Sequence, residues 1–286
     1  MVDESKHIVD LDMDSRPLLN DDTPIKYKRP IDKRFWNVEK GTLMLLIGMP
    51  GVGKTYKLLE LFSRDSHLRY YYDQIHFFAA SPDPTLNPLF EYYGQPISDV
   101  SDSAILNIIN NQMDQDEDDE SGYPRSNCAV IIDDALSMKG FKSRNDTALT
   151  KLAGNYRHIL RGFLPFKVGD TDNFLTHGGG GMLCISSQRY TSSIPRNIRA
   201  CANVLFIGKL ANKEENIDII KEYNSMFGDH MREMLNYVHS TPYSFLALYI
   251  NGDLDPETHG PAAYKWGSEV EKLYPTDRFP EKQYVI

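Results

Sequence analysis

Residues Gly48-Met49-Pro50-Gly51-Val52-Gly53-Lys54-Thr55 follow an unbroken apolar run, Gly41–Ile47 (GTLMLLI), and open a stretch with helical spacing, Lys54–Ser63. This succession of buried strand, glycine loop and helix constrains the fold more than anything else in the chain. An apolar run without alternation fits a strand covered on both faces. The spacing G-x-x-x-x-G-K-[ST] lets backbone N–H groups curl around phosphate oxygens, and the helix that follows adds its positive N-terminal end. Lys54 is expected to reach the β- and γ-phosphates of ATP, and the Thr55 hydroxyl to ligate Mg²⁺. Gly48, Met49, Pro50, Gly51, Val52, Gly53, Lys54 and Thr55 are thus the expected nucleotide-binding residues.

Strand-like and helix-like stretches alternate after this loop. The expected strands are Ile75–Ala80, Cys128–Ile132, Met182–Ser186, Val204–Gly208 and Phe245–Asn251. The expected helices are Ser101–Gln112, a helical pattern over Asn145–Phe163, Glu214–Phe227 and Asp229–Val238. Such alternation predicts an α/β fold with a mainly parallel sheet flanked by helices. Residues 1–37 are polar and without period, and are expected to form an arm docked by Phe35 and Trp36. Residues 38–286 are expected to form one domain. It carries an acidic loop over 113–126, with six acids in Asp114–Glu120, and a Gly-rich loop over 167–181 whose four consecutive glycines argue against helix or strand interior.

Mg²⁺ at a phosphate site needs a carboxylate. The apolar strand Ala129-Val130-Ile131-Ile132 ends in Asp133-Asp134, and ligands of open α/β sheets bind at the strands' C-terminal ends. Asp133 is the expected Mg²⁺ partner. Asp134 is expected to polarise the attacking water. Leu183-Cys184-Ile185-Ser186-Ser187 ends in Gln188. If that strand lies between the phosphate-loop strand and the Asp133 strand, Gln188 points at the γ-phosphate.

Charge is unevenly spread. The chain carries −9 overall, yet residues 135–213 hold twelve Lys or Arg against Asp146, Asp170 and Asp172. That segment is +9 and the remainder −18. The whole-chain charge argues against indiscriminate nucleic-acid binding, whereas the basic segment suits phosphate contacts. From Asn173 to Lys213 there is no acid, and this stretch and the run Lys139, Lys142, Arg144 form the expected DNA-backbone surface. Three cysteines, Cys128, Cys184 and Cys201, make no disulfide framework. No apolar run approaches the ~18 residues of a membrane span. A reduced, intracellular protein is expected.

The ordered set GMPGVGKT, AVIIDD, GNYRH at Gly154–His158, the strand ending in Gln188, and IPRNIRACANVLFI at Ile194–Ile207 resembles the FtsK–HerA superfamily of P-loop ATPases. Within it the set looks most like the poxvirus-type viral genome-packaging ATPases of large eukaryotic DNA viruses and virophages. The resemblance covers roughly residues 40–210. It implies a P-loop NTPase of the ASCE/RecA-like kind, using ATP and Mg²⁺ to drive sequence-independent translocation of double-stranded DNA into a capsid. It implies a homo-oligomeric ring, capsid partners, and a place in the host cytoplasm, virus factory or virion. Gln188 matches the sensor glutamine. Arg157 matches the arginine offered to a neighbouring subunit's nucleotide, where it stabilises charge on the γ-phosphoryl group. Arg199 matches a recurrent arginine without an assigned role. The acidic and Gly-rich insertions depart from the compact family pattern.

Other readings stay open on the sequence. An AAA-type remodelling ATPase shares the glycine loop but needs a small helical domain with a sensing arginine. A regulatory ATP-binding switch needs no complete hydrolytic set. A nucleotide kinase needs an Arg-rich lid, which is not visible. The ATPase rate with and without long double-stranded DNA separates them.

Overall fold

The computed structural model describes residues 8–9, 35–36, 41–63, 68, 71–79, 81–98, 101–114, 126–134, 147–167, 174–250 and 260–280. Among these residues, nine strands form one sheet. Five of them are parallel: β2 (Thr42–Ile47), β3 (Gln74–Ala79), β4 (Cys128–Asp133), β7 (Met182–Ser187) and β8 (Val204–Ile207), in the order β3-β4-β7-β2-β8. The sheet continues antiparallel through β9 (Phe245–Tyr249), β10 (Ala262–Trp266) and β11 (Val270–Tyr274) to the two-residue β1 (Ile8–Val9). The expected α/β class is observed, with the parallel strands grouped around the phosphate loop. The terminal strands β10, β11 and β1 have no counterpart among the strands expected from the sequence.

Helices cover both faces, which is why the parallel strands read as continuous apolar runs. Side chains alternate along β2. Leu43, Leu45 and Ile47 face a core built with α3 (Asp102–Asp114), α4 (Ala148–Ile159), α5 (Arg196–Cys201), α6 (Lys213–Phe227) and α7 (His230–His239). Met44 and Leu46 face the opposite core, with α1 (Lys54–Ser63) and α2 (Asn87–Tyr93). Phe35 and Trp36 belong to this second core; the Phe35 ring lies 4.9 Å from that of Trp266 and 5.2 Å from that of Tyr264.

Two expectations change beyond a shift of one or two residues at an element's end. The helical pattern read over Asn145–Phe163 ends at Ile159, because Leu160 turns the chain and Gly162 opens β5 (Gly162–Lys167). A side chain at Gly162 would collide with the Asn127 backbone, its Cβ only 2.1 Å from the amide nitrogen, so the chain passes there only as glycine. The Gly-rich stretch is not all loop. Phe174–Gly179 forms β6, antiparallel to β5, with Phe163 opposite Gly178 and Gly162 opposite Gly179. Glycine weakens a strand without forbidding it, and pairing with β5 supplies the missing support. The acidic loop beyond Asp114, and Lys139, Lys142 and Arg144, lie outside the described residues.

Candidate functional site

The C-terminal ends of β2, β7 and β4 lie side by side, and each contributes to one site. The phosphate loop leaves β2 and is anchored at its base: the Gly48 N–H donates to Ser187 O (3.1 Å) and the Met49 N–H to Lys209 O (2.9 Å). Gly51 and Gly53 adopt φ of 78° and 94°, where a Cβ would be strained. Gly48 is needed for space, since a Cβ there would sit 2.7 Å from Val52 Cγ2. Among the described residues nothing accepts from the N–H groups of Gly51, Val52, Gly53, Lys54 or Thr55. The first turn of a helix leaves such donors over, and here they collect at the mouth of the loop.

Lys54 folds back over that mouth. Its Nζ donates to Gly48 O (2.8 Å) and Met49 O (3.3 Å). Burial lowers its pKa, against the pull of Asp133 and then Asp134. Asp133, the last residue of β4, is raised by burial; the Ser186 hydroxyl and the Lys54 ammonium oppose the rise. Asp134 follows with φ 84°, a left-handed conformation that Asp tolerates better than most residues. Its Oδ2 accepts a long hydrogen bond of 3.4 Å from Gln188 Nε2.

The condition set for Gln188 is met: β7 lies between β2 and β4 and pairs with both. Lys54, Asp133, Asp134 and Gln188 therefore share one edge. Such a group can hold a polyphosphate, offer hard oxygen ligands to a divalent cation, and place a carboxylate and an amide beside a water. Asp133 and Thr55 supply oxygen donors of the type Mg²⁺ takes.

Arg157 is placed differently. It lies on the exposed side of α4, its Nε donating to the Tyr156 hydroxyl at 3.0 Å. No contact joins it to the loop of its own chain among the described residues. Of the expected DNA-facing residues, Arg189, Arg196, Lys209 and Lys213 are exposed. Arg199 is not available in that sense. Its Nε is 3.4 Å from Glu222 Oε2, its Nη1 donates to Ile194 O at 2.9 Å, and its guanidinium lies 4.8 Å from the Tyr190 ring centroid. It ties the segment after Gln188 to α6.

Two residues carry no signal in the sequence that would single them out. Glu215, buried in the first turn of α6, accepts from the Tyr190 and Thr191 N–H groups and from the Ser192 hydroxyl. In sequence it looks like an ordinary first-turn acid. Tyr243, between α7 and β9, lies against Gly53; no local pattern marks it. A separate cavity of about 370 Å³ opens between α6 and α7, lined by Lys213, Ile217, Arg232 and His239 among others. The phosphate-loop residues do not line it.

No family model matches the chain, and no curated protein matches it in sequence. Among solved structures it is similar to the genome packaging NTPase B204 from Sulfolobus turreted icosahedral virus 2 in complex with AMPPCP, at 16% identity and a TM-score of 0.48, over 75% of this chain and 95% of that one. The DNA-packaging ATPase B204 from Sulfolobus turreted icosahedral virus is similar at 16% identity and a TM-score of 0.46, over 74% and 94% of the two chains. The pCW3 conjugation coupling protein TcpA with ATPγS is similar at 16% identity and a TM-score of 0.41, over 82% and 60%.

Proposed function

We propose that the chain hydrolyses ATP and uses the energy to drive double-stranded DNA into a viral capsid. The observation that carries the ATPase reading is the convergence of Lys54, Asp133, Asp134 and Gln188 on one sheet edge beside the glycine loop. In this reading the loop N–H groups and Lys54 hold the β- and γ-phosphates. Thr55 and Asp133 hold Mg²⁺, which would neutralise charge on the same oxygens. Asp134, oriented by Gln188, takes a proton from the water that attacks the γ-phosphorus as the bond to the β–γ bridging oxygen breaks.

The DNA part of the reading is supported by the resemblance to FtsK–HerA packaging ATPases and by the basic segment 135–213. Arg189, Arg196, Lys209 and Lys213 are among its exposed residues. Phosphate contacts of this kind carry no sequence information. In a ring of copies, Arg157 reaches the neighbour's nucleotide.

The test is steady-state ATP hydrolysis by the wild type and Lys54→Ala, with and without long double-stranded DNA. The expected result is Lys54-dependent turnover that DNA of any sequence stimulates, the stimulation fading as salt rises. Turnover indifferent to DNA would remove the translocase. ATP binding without turnover under any condition would leave a nucleotide switch.

A further inference from the structure

We infer that Tyr243 is a nucleobase platform, the surface on which the base of a bound nucleoside triphosphate stacks; the inference rests on the phosphate-site reading above. Tyr243 sits in the short connection between α7 and β9. It is 71% exposed, the greatest exposure of any large apolar side chain among the described residues. Free energy favours covering such a ring, and this one stays in water. Its backbone is held at φ 56°. Among the described residues only one other non-glycine residue, Asp134, has positive φ, and it belongs to the candidate site. Strain of this kind persists where the surroundings impose it, and it gathers at ligand sites.

The ring has a definite place. Its Cδ1 lies 3.5 Å from the point a Cβ on Gly53 would occupy. Gly53 is the last glycine of the phosphate loop and directly precedes Lys54. The ring thus borders the loop where its N–H donors gather, on the outside and open to solvent. The next strand fixes the connection: β9 pairs with β8, and the Phe245 ring packs against Gly208, beside the loop's own valine, Val52. Tyr56, in the first turn of α1, is a second exposed ring, at 55%. An exposed aromatic face next to a polyphosphate cradle fits a flat heteroaromatic ring joined to that polyphosphate. Stacking accepts every base, because each has a π-face. The platform therefore selects nucleotides over bare polyphosphate and does not choose between adenine and guanine.

The experiment measures equilibrium binding of ATP, GTP and inorganic tripolyphosphate, with magnesium present, to the full chain and to Tyr243→Gly, Tyr243→Phe and Tyr243→Trp. The Gly variant should bind ATP and GTP about tenfold more weakly and tripolyphosphate unchanged. Its melting temperature should stay level or rise, because glycine accepts φ 56° without strain. Tyr243→Phe should behave as wild type. In Tyr243→Trp, ATP should quench indole emission and tripolyphosphate should not. Wild-type affinity for ATP in the Gly variant would overturn the platform, as would an equal loss of tripolyphosphate. If the wild type binds none of the three, the phosphate-site reading falls, and the platform with it. If ATP binds in a Lys54-dependent way and the Gly variant is unaffected, only the platform falls.

Discussion

The Gln188 side-chain amide donates to Asp134 Oδ2 across the boundary between β7 and β4, at 3.4 Å. The bond is long, and a long bond of this kind tightens readily when substrate enters. Asp134→Asn is expected to lower turnover by about 10²–10⁴-fold while nucleotide binding stays near wild type, the range for loss of a general base. Gln188→Ala should lower turnover by a smaller factor, and the double variant should be little worse than Asp134→Asn alone. Steady-state hydrolysis beside equilibrium nucleotide binding checks all three. Full additivity would show that the two side chains act separately.

Asp133 carries a pH signature. Burial raises its carboxyl above the unfolded value of 3.8. A carboxyl raised by folding binds its proton more tightly in the folded state. Its contribution to stability is therefore present in acid and lost as pH rises from the unfolded value through the folded one. Asp133→Asn removes the buried charge, and Asp134 remains beside Lys54 to balance the ammonium. The variant should melt higher than wild type at neutral pH without magnesium, and the difference should vanish below the unfolded carboxyl value. Melting curves across pH decide it; a destabilised variant at neutral pH would mean the carboxylate is worth more to Lys54 than its burial costs.

Among the described residues no contact joins Arg157 to its own chain's phosphate loop, and in the proposed ring its target is the neighbour's nucleotide. Arg157→Ala and Lys54→Ala proteins should each be inactive. Mixed in one assembly, they should regain measurable ATPase, because an interface can then pair an intact loop with an intact arginine. A dead mixture from variants that demonstrably co-assemble would rule out simple action in trans.

Glu215 holds the segment behind Gln188. Glu215→Ala would leave the buried Tyr190 N–H and its neighbour on Thr191 without their acceptor, at about 1–3 kcal/mol for each donor stranded. A lower melting temperature is expected, together with weaker turnover at temperatures where the variant is still folded. Glu215→Gln should restore much of the stability. A variant with wild-type melting would show that water replaces the carboxylate freely.

The half of the sheet around the glycine loop is legible in the sequence because its strands are covered on both faces. TLMLLI and CAVII can be little else, and the boundaries of α1 follow directly from the loop before it. The outer strands hide themselves. β10 (AAYKW) and β11 (VEKLY) are five residues each and carry Lys265, Lys272 and Glu271. Glu271 is nonetheless buried, satisfied by the Tyr237 hydroxyl at 3.0 Å, a partner no sequence window contains. The glycines of β6 read as loop because glycine's freedom outweighs its neighbours in any local reading. Gln188 can be placed only once the strand order is fixed. Tyr243 cannot be found at all, since its nearness to Gly53 depends on where the chain returns after two helices.

Phe35 and Trp36 decide where this protein can be shortened. Both are essentially fully covered, resting on the rings of Trp266, Tyr264 and Tyr249. A fragment starting at Gly41 would keep every residue of the candidate site and still uncover the faces of those three rings that Phe35 and Trp36 now cover. Aromatic side chains of this size bury about 150–250 Å² each, and a contiguous apolar patch above a few hundred Å² invites self-association. Such a fragment should gather into soluble aggregates or precipitate, whereas one that begins ahead of Phe35 should stay dispersed. For anyone expressing the protein, the working boundary lies before this aromatic pair rather than at the start of the first core strand.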